Sequence, residues 1–164
     1  MNKYEKGLEI LEEKFGNSKD NVFGLATIAL EPNADGKPRP VVRDVDAFYE
    51  NGAFYVVTNA KSTKMQQIAQ NNEVAIAVNF AWFTANGIGE NLGWVQKPEN
   101  AELRTKLRKA FEQWYVMANG DDEGEDVCIL KISLTSGIIN LNHHETLIYM
   151  DFMNKTATVK GKDL

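Results

Sequence analysis

The stretch that decides the fold is 39-RPVVRDVDAFYENGAFYVVTNAKSTK-64. At its centre Asn51-Gly52 is the residue pair that best supplies the positive φ angles of a two-residue hairpin turn. β-branched and aromatic residues flank that pair, so residues 39–48 and 53–58 read as antiparallel strands. Beyond Thr58, Met65, Ile68 and Ala69 recur at helical spacing, which predicts a short helix from about Ser62 to Gln70. Lys61 and Lys64 then sit at the first turn of that helix, where the macrodipole favours negative side chains. Cations in that position suit an anionic ligand, because the unpaired N–H groups of a helix start bind phosphate readily. A helix cap is the other explanation of the hydroxyls: Ser62 has N-cap chemistry, and Thr63 with Gln66 has the spacing of a capping box.

Upstream, residues 21–30 (NVFGLATIAL) read as a buried strand, and residues 31–38 (EPNADGKP) as the turn into residue 39. Tyr4, Leu8, Leu11 and Phe15 recur at helical spacing and predict an opening helix that ends near Gly16-Asn17. Downstream, residues 73–80 return to strand, and the glycine-rich residues 81–95 read as a broken or bulged strand. Pro98, Leu103, Leu107, Phe111 and Trp114 predict one long helix over 98–118. The acidic residues 119–126 read as a solvated loop after it. Separate strands are predicted at 126–134, 137–141 and 146–152, and a turn at Met153-Asn154-Lys155 leads into a further one at 156–160.

Many short strands in hairpins with one helix inserted make a mainly β protein. The expected architecture is a small closed or split β-barrel of antiparallel strands with peripheral helices. A dinucleotide fold is disfavoured, since Gly87-Ile88-Gly89 lacks both a third glycine and a strand-to-helix setting.

The chain has 164 residues, 43% hydrophobic and 25% charged, which suits one domain over residues 1–164. With 18 basic and 23 acidic side chains the formal charge is −5, so no general field attracts nucleic acid or an anionic membrane. Any basic site must be local. The single cysteine, Cys128, lies in an apolar run and reads as a small core residue. Residues 1–15 lack the apolar stretch of a signal peptide, and no segment approaches the roughly 20 apolar residues of a membrane span. A reducing, cytoplasmic setting is expected. His143 and His144 are adjacent, and neighbours on a strand point to opposite faces, so a loop or strand edge is expected there, without a metal. No Ser/His/Asp or Cys/His set is evident, and no catalytic side chain is predicted.

The strand period of two places Arg39, Val41 and Arg43 on one face. Guanidinium forks suit phosphate, and pairing through the Asn51-Gly52 hairpin predicts Arg39 near the strand end that feeds residues 59–64. The alternative keeps both arginines in solvent and turns Val42 inward.

In these residues the chain resembles the pyridoxamine 5′-phosphate oxidase-like family of FMN-binding split barrels, in the branch related to general stress protein 26. The resemblance rests on Arg39-Pro40-Val41, then Phe54 to Thr58, then Thr58-Asn59-Ala60-Lys61-Ser62-Thr63-Lys64, in that order. It implies that Arg39, Ser62 and Lys64 hold the FMN phosphate, with Lys61 and Arg43 as helpers, while Val41, Thr58 and Asn59 lie against the isoalloxazine or ribityl chain. It also implies a homodimer with FMN at the interface, and an oxidoreductase with a small redox partner such as NAD(P)H. Residues 141–152 (LNHHETLIYMDF) lack the Arg-x-His substrate motif of true pyridoxamine phosphate oxidases, so that substrate is not expected. Two other functions are open to the same residues: a non-catalytic protein that sequesters or senses flavin or haem, and a deazaflavin-dependent reductase. Glu90 and Asn91, near Trp94, are candidates for a pocket border.

Overall fold

The computed structural model describes residues 1–162 and 164. It opens with α1 (Lys3–Phe15), started by a capping box. Asn2 Oδ1 accepts from Glu5 N at 2.9 Å, and Glu5 Oε2 accepts from Asn2 N at 2.8 Å. The apolar face of α1 buries Leu11 and Phe15 against the barrel. Strands β1 (Asn21–Ile28), β2 (Pro40–Glu50) and β3 (Ala53–Asn59) follow, and Asn51 and Gly52 turn the β2–β3 hairpin with φ of 50° and 77°. Next come α2 (Thr63–Gln70), β4 (Glu73–Val78) and β5 (Phe83–Trp94).

The sheet runs β3-β2-β1-β4-β5-β6, and pairing of β3 with β6 (Val127–Leu141) closes it into a six-stranded antiparallel barrel. Hydrophobic residues fill the interior, among them Leu25, Phe54, Phe83, Leu130, Ile132 and Ile139. β6 lies along β5 on one edge and changes partner on the other. Its first half pairs with β3 from Asn59↔Val127 to Ala53↔Ser133, and its second half pairs with β7 (Thr146–Asp151) from Ser136↔Asp151 onward. β8 (Thr156–Gly161) then pairs with β7. At that switch Leu134 N donates to Gly52 O, and Phe152 N donates to Thr135 O.

The structure corrects the sequence reading in three places. Residues 126–134 and 137–141 are one strand, not two. Ser136-Gly137 reads as a break because both are weak strand formers. The barrel wall needs a residue without a side chain there, since a Cβ on Gly137 would lie 3.0 Å from the Phe83 ring. The glycine-rich segment is bulged as expected, with register shifts between Asn86 and Gly87 and between Asn91 and Trp94.

The long helix over 98–118 is divided into a turn of 3₁₀ helix at Pro98–Asn100, α3 (Ala101–Ala110) and α4 (Tyr115–Asn119). Between them the chain tightens, with Trp114 N donating to Phe111 O. Two bonds in different directions hold that geometry: Trp114 Nε1 donates to Asp20 Oδ2 at 2.7 Å, and Tyr115 OH donates to Asp122 Oδ2 at 2.7 Å. Phe111 and Tyr115 join Phe48, Val57, Val95, Leu107 and Ile129 in a second core outside the barrel.

Residues 119–126 are not a simple solvated loop either, because Asp122 is 0% exposed. Its two oxygens accept from Arg104, Arg108, Tyr115 and Gln96. Cys128 is a buried free cysteine, as expected. Asn142, His143 and His144 all have positive φ in the turn between β6 and β7. Among the described residues no helix is long and apolar enough to cross a membrane.

Candidate functional site

β3 ends at Asn59, and the side chain of that residue shapes the following turn. Asn59 Oδ1 accepts from Lys61 N at 2.8 Å, and Asn59 O accepts from Ser62 N at 3.0 Å. Ala60 N donates to Asp126 O, so the segment before β6 braces the turn from outside. Ser62 occupies the N-cap position of α2 but makes no side-chain cap bond, and its Oγ is buried without a partner among the described residues. Gln66 does not complete a capping box, since its Nε2 donates to Lys61 O at 2.9 Å. The helix-cap explanation therefore does not describe this helix start. An unsatisfied buried hydroxyl costs about 1–3 kcal/mol. No acidic residue stands in the first turn.

Lys64 is half-buried and makes no ion pair among the described residues. Burial, and then the facing charge of Arg43, hold its pKa below the ordinary lysine value. The Cys128 thiol lies close to it and is itself pushed up to about 11 by burial. Arg43 is held by neutral acceptors alone. Its Nη1 donates to Thr27 Oγ1 at 2.6 Å and to Leu25 O at 3.2 Å, and its Nη2 donates to Gln67 Oε1 at 2.8 Å. Thr27 Oγ1 in turn donates to Gln67 Oε1 at 2.6 Å. Two cations thus face one another with no carboxylate among the described residues to neutralise them, beside an orphaned hydroxyl and a helix N-terminus. A phosphomonoester dianion is the chemistry this donor set accepts.

The other predicted residues fall around this centre. Register places Arg43 opposite Leu25 and Val41 opposite Thr27 on one sheet face, as the strand period predicted. Val42 points the other way and is 70% exposed, so the inward Val42 alternative fails. Thr58 pairs with Cys128 on the barrel wall and is half-exposed.

The structure brings Arg43 to Lys64 and leaves Arg39 away from it. The β2–β3 ladder covers only Phe48↔Tyr55 to Glu50↔Ala53, after which β2 follows β1 instead. Arg39 is exposed and its carbonyl accepts from Ala29 N. That point lies by the C-terminal end of α2, where Gln70 Nε2 donates to Leu30 O. Lys61 forms an exposed ion pair with Asp126 at 2.8 Å. Thr27 and Gln67 went unrecognised in the sequence. The available signal was Gln67 itself, a polar residue between Met65 and Ile68 on the inward side of α2.

On β5, Asn91 Oδ1 accepts from Gly93 N, and Asn91 lines a groove of about 660 Å³ against α2. Trp94 is tied to the second core, its Nε1 donating to Asp122 O at 3.2 Å.

No protein-family model matches the chain, and no curated protein matches it. Solved structures do. A protein from Clostridium acetobutylicum related to general stress protein 26 of B. subtilis shares 13% identity over 95% of this chain and 100% of its own, with a TM-score of 0.60. A pyridoxamine 5′-phosphate oxidase-related, FMN binding protein from Nostoc punctiforme shares 12% over 98% of this chain and 96% of its own, at a TM-score of 0.55. An F420 reductase shares 17% over 77% of this chain and 94% of its own, at 0.55. At such identities the likeness is one of backbone. The fold of this chain is that of the pyridoxamine 5′-phosphate oxidase-like split barrels.

Proposed function

We propose that this chain binds FMN, with the phosphate seated among Arg43, Lys64, the Ser62 hydroxyl and the first N–H groups of α2. The single observation that carries the reading is the facing of Arg43 and Lys64 with no carboxylate among the described residues between them. Protein interiors avoid that arrangement unless an anion completes it. The Nostoc neighbour named as FMN binding lends support. Val41, Thr58 and Asn59 flank the phosphate and would meet the ribityl chain and ring. Lys61 contributes positive field once its exposed bond to Asp126 yields, and Arg39 stays at the outer rim.

The flavin, when bound, supplies the redox chemistry, which makes the chain an oxidoreductase for a small electron donor or acceptor, NAD(P)H among the donors. The residues of the chain bind and orient the cofactor, and none is required as a general acid or base. The same proposal includes a homodimer. The rows Val42–Ala26–Ala75–Asn86–Ser136 and Gly24–Ala77–Thr84–Ile138 form an outer face of mostly small side chains, apolar but for Asn86, Ser136 and Thr84. It also includes a reducing, cytoplasmic setting, which suits the lone Cys128 and which cell fractionation tests.

The visible spectrum of freshly purified protein and an FMN titration test the reading, and a colourless protein that takes up no FMN would end it. Arg43→Ala and Lys64→Ala should each weaken FMN binding by about 1.5–3 kcal/mol, the range of a charge-assisted hydrogen bond. Sedimentation should report a dimer; a monomer in the FMN-loaded state removes that part. Anaerobic bleaching by NAD(P)H separates an oxidoreductase from a carrier that only holds flavin or haem. The F420 reductase likeness supports a deazaflavin as the alternative cofactor, and competition between the two flavins decides it.

A further inference from the structure

We infer that Gln67 is the positioning residue of this site, holding Arg43 through its carbonyl oxygen and presenting its amide NH₂ as an additional donor to the phosphoryl group. The inference rests on the proposed reading of the site as a phosphate cradle. A guanidinium can only donate, so the atom of Gln67 that meets Arg43 Nη2 at 2.8 Å must be the oxygen. The same oxygen receives the Thr27 hydroxyl at 2.6 Å, which fixes the amide orientation twice over. Gln67 and Thr27 are 5% and 1% exposed, so neither bond is shared with bulk water.

With the oxygen committed, the NH₂ group remains, and it makes no hydrogen bond among the described residues. It is bonded to the same carbon as the oxygen that touches Arg43, and Gln67 stands three residues after Lys64 on the same side of α2. The free amide, the guanidinium and the ammonium therefore belong to one cluster.

Neutrality matters as much as position. A glutamate at residue 67 would hold Arg43 equally well by geometry, yet it would cancel one of the two charges that face the ligand. Glutamine fixes the arginine while leaving both positive charges in place, which selects a dianionic phosphomonoester over an uncharged ligand of the same shape.

The test compares FMN with riboflavin, which differs only in lacking the phosphate, on the full chain and its Gln67→Glu and Gln67→Met variants. Wild type should prefer FMN strongly. Gln67→Glu should lose about 10- to 100-fold in FMN affinity, the scale of one charge-assisted bond, while riboflavin affinity changes far less. Gln67→Met should lose a smaller part of the same preference. Should Gln67→Glu fail to fold, Gln67→Met decides. A wild type that prefers FMN together with variants that keep the full preference overturns the role of Gln67 and leaves the phosphate site standing. A wild type with equal affinity for both ligands overturns the site and this inference together.

Discussion

Replacing Asp122 by asparagine removes one charge from the most heavily bonded side chain outside the barrel. Its two oxygens receive five donors: Arg104 Nη2 at 2.8 Å and Gln96 Nε2 at 2.7 Å on Oδ1, and Arg104 Nε at 3.0 Å, Arg108 Nη1 at 3.0 Å and Tyr115 OH at 2.7 Å on Oδ2. Burial alone would push the carboxyl up, but the bonds from Arg104, Tyr115, Gln96 and Arg108 together hold it well below the usual carboxylate range. Asparagine keeps Oδ1 and its two donors, and turns an NH₂ toward the three donors on Oδ2.

The side chains of Arg104 and Arg108 are 33% and 36% exposed, so they regain water and the full cost of an orphaned buried charge does not apply. The hydroxyl of the buried Tyr115 does not regain water, and it costs about 1–3 kcal/mol. With the weakened arginine bonds the loss should be about 3 kcal/mol, or about 6–12 °C in Tm for a chain of this size. Urea unfolding followed by fluorescence of Trp94 and Trp114, which flank the knot, should show a lower midpoint at unchanged slope. Because the folded pKa is depressed, the stability from Asp122 is present above the unfolded value of about 3.9 and is lost as pH falls below it. The gap between wild type and Asp122→Asn should therefore be flat from about pH 5 to 8 and shrink below about pH 4. A loss under about 1 kcal/mol would refute the reasoning, since it would mean that the five bonds contribute no more than exposed pairs do.

Asp46 shows the opposite sign: burial first, then the facing Asp20, raise its pKa to about 6. The folded state binds that proton more tightly than the unfolded chain, so stability falls as pH rises from about 4 through about 6. Asp46→Asn should gain about 1 kcal/mol at pH 8, measured by urea midpoint, and the gain should vanish near pH 4. Lys64→Met should likewise stabilise the cofactor-free protein at pH 7, by about 0.5–2 kcal/mol, while weakening FMN binding. A lysine whose folded pKa lies below its unfolded value destabilises below the folded value and ceases to as pH rises toward the unfolded one. Thermal unfolding across pH 7 to 10.5 should therefore show the gain disappear, and a destabilised Lys64→Met variant would count against the strained cation.

Local chemistry made much of the barrel legible. Asn51-Gly52 admits one kind of turn, and the alternation of Val45, Ala47 and Tyr49 admits one inward face, so the β2–β3 hairpin follows from the residues in it. The lysines at the start of α2 were legible for the same reason, because a helix end and its charges lie within a few residues of one another. Residue order could not say which arginine meets Lys64. That depends on where β2 leaves β3 for β1, a choice made by strands far apart in sequence, and it brings Arg43 to the helix and leaves Arg39 at the other end. The burial of Asp122 and the division of the helix over 98–118 were hidden for the same reason. An acidic run looks solvated until Arg104, Arg108 and Tyr115 are folded onto it from the preceding helices. The amino-acid sequence by itself determined the first strands, the hairpin turn and the cations at the start of α2, since those are set by neighbours along the chain. Only the closed barrel decided which cations share the site and which neutral groups hold them, because burial and register are properties of the whole sheet.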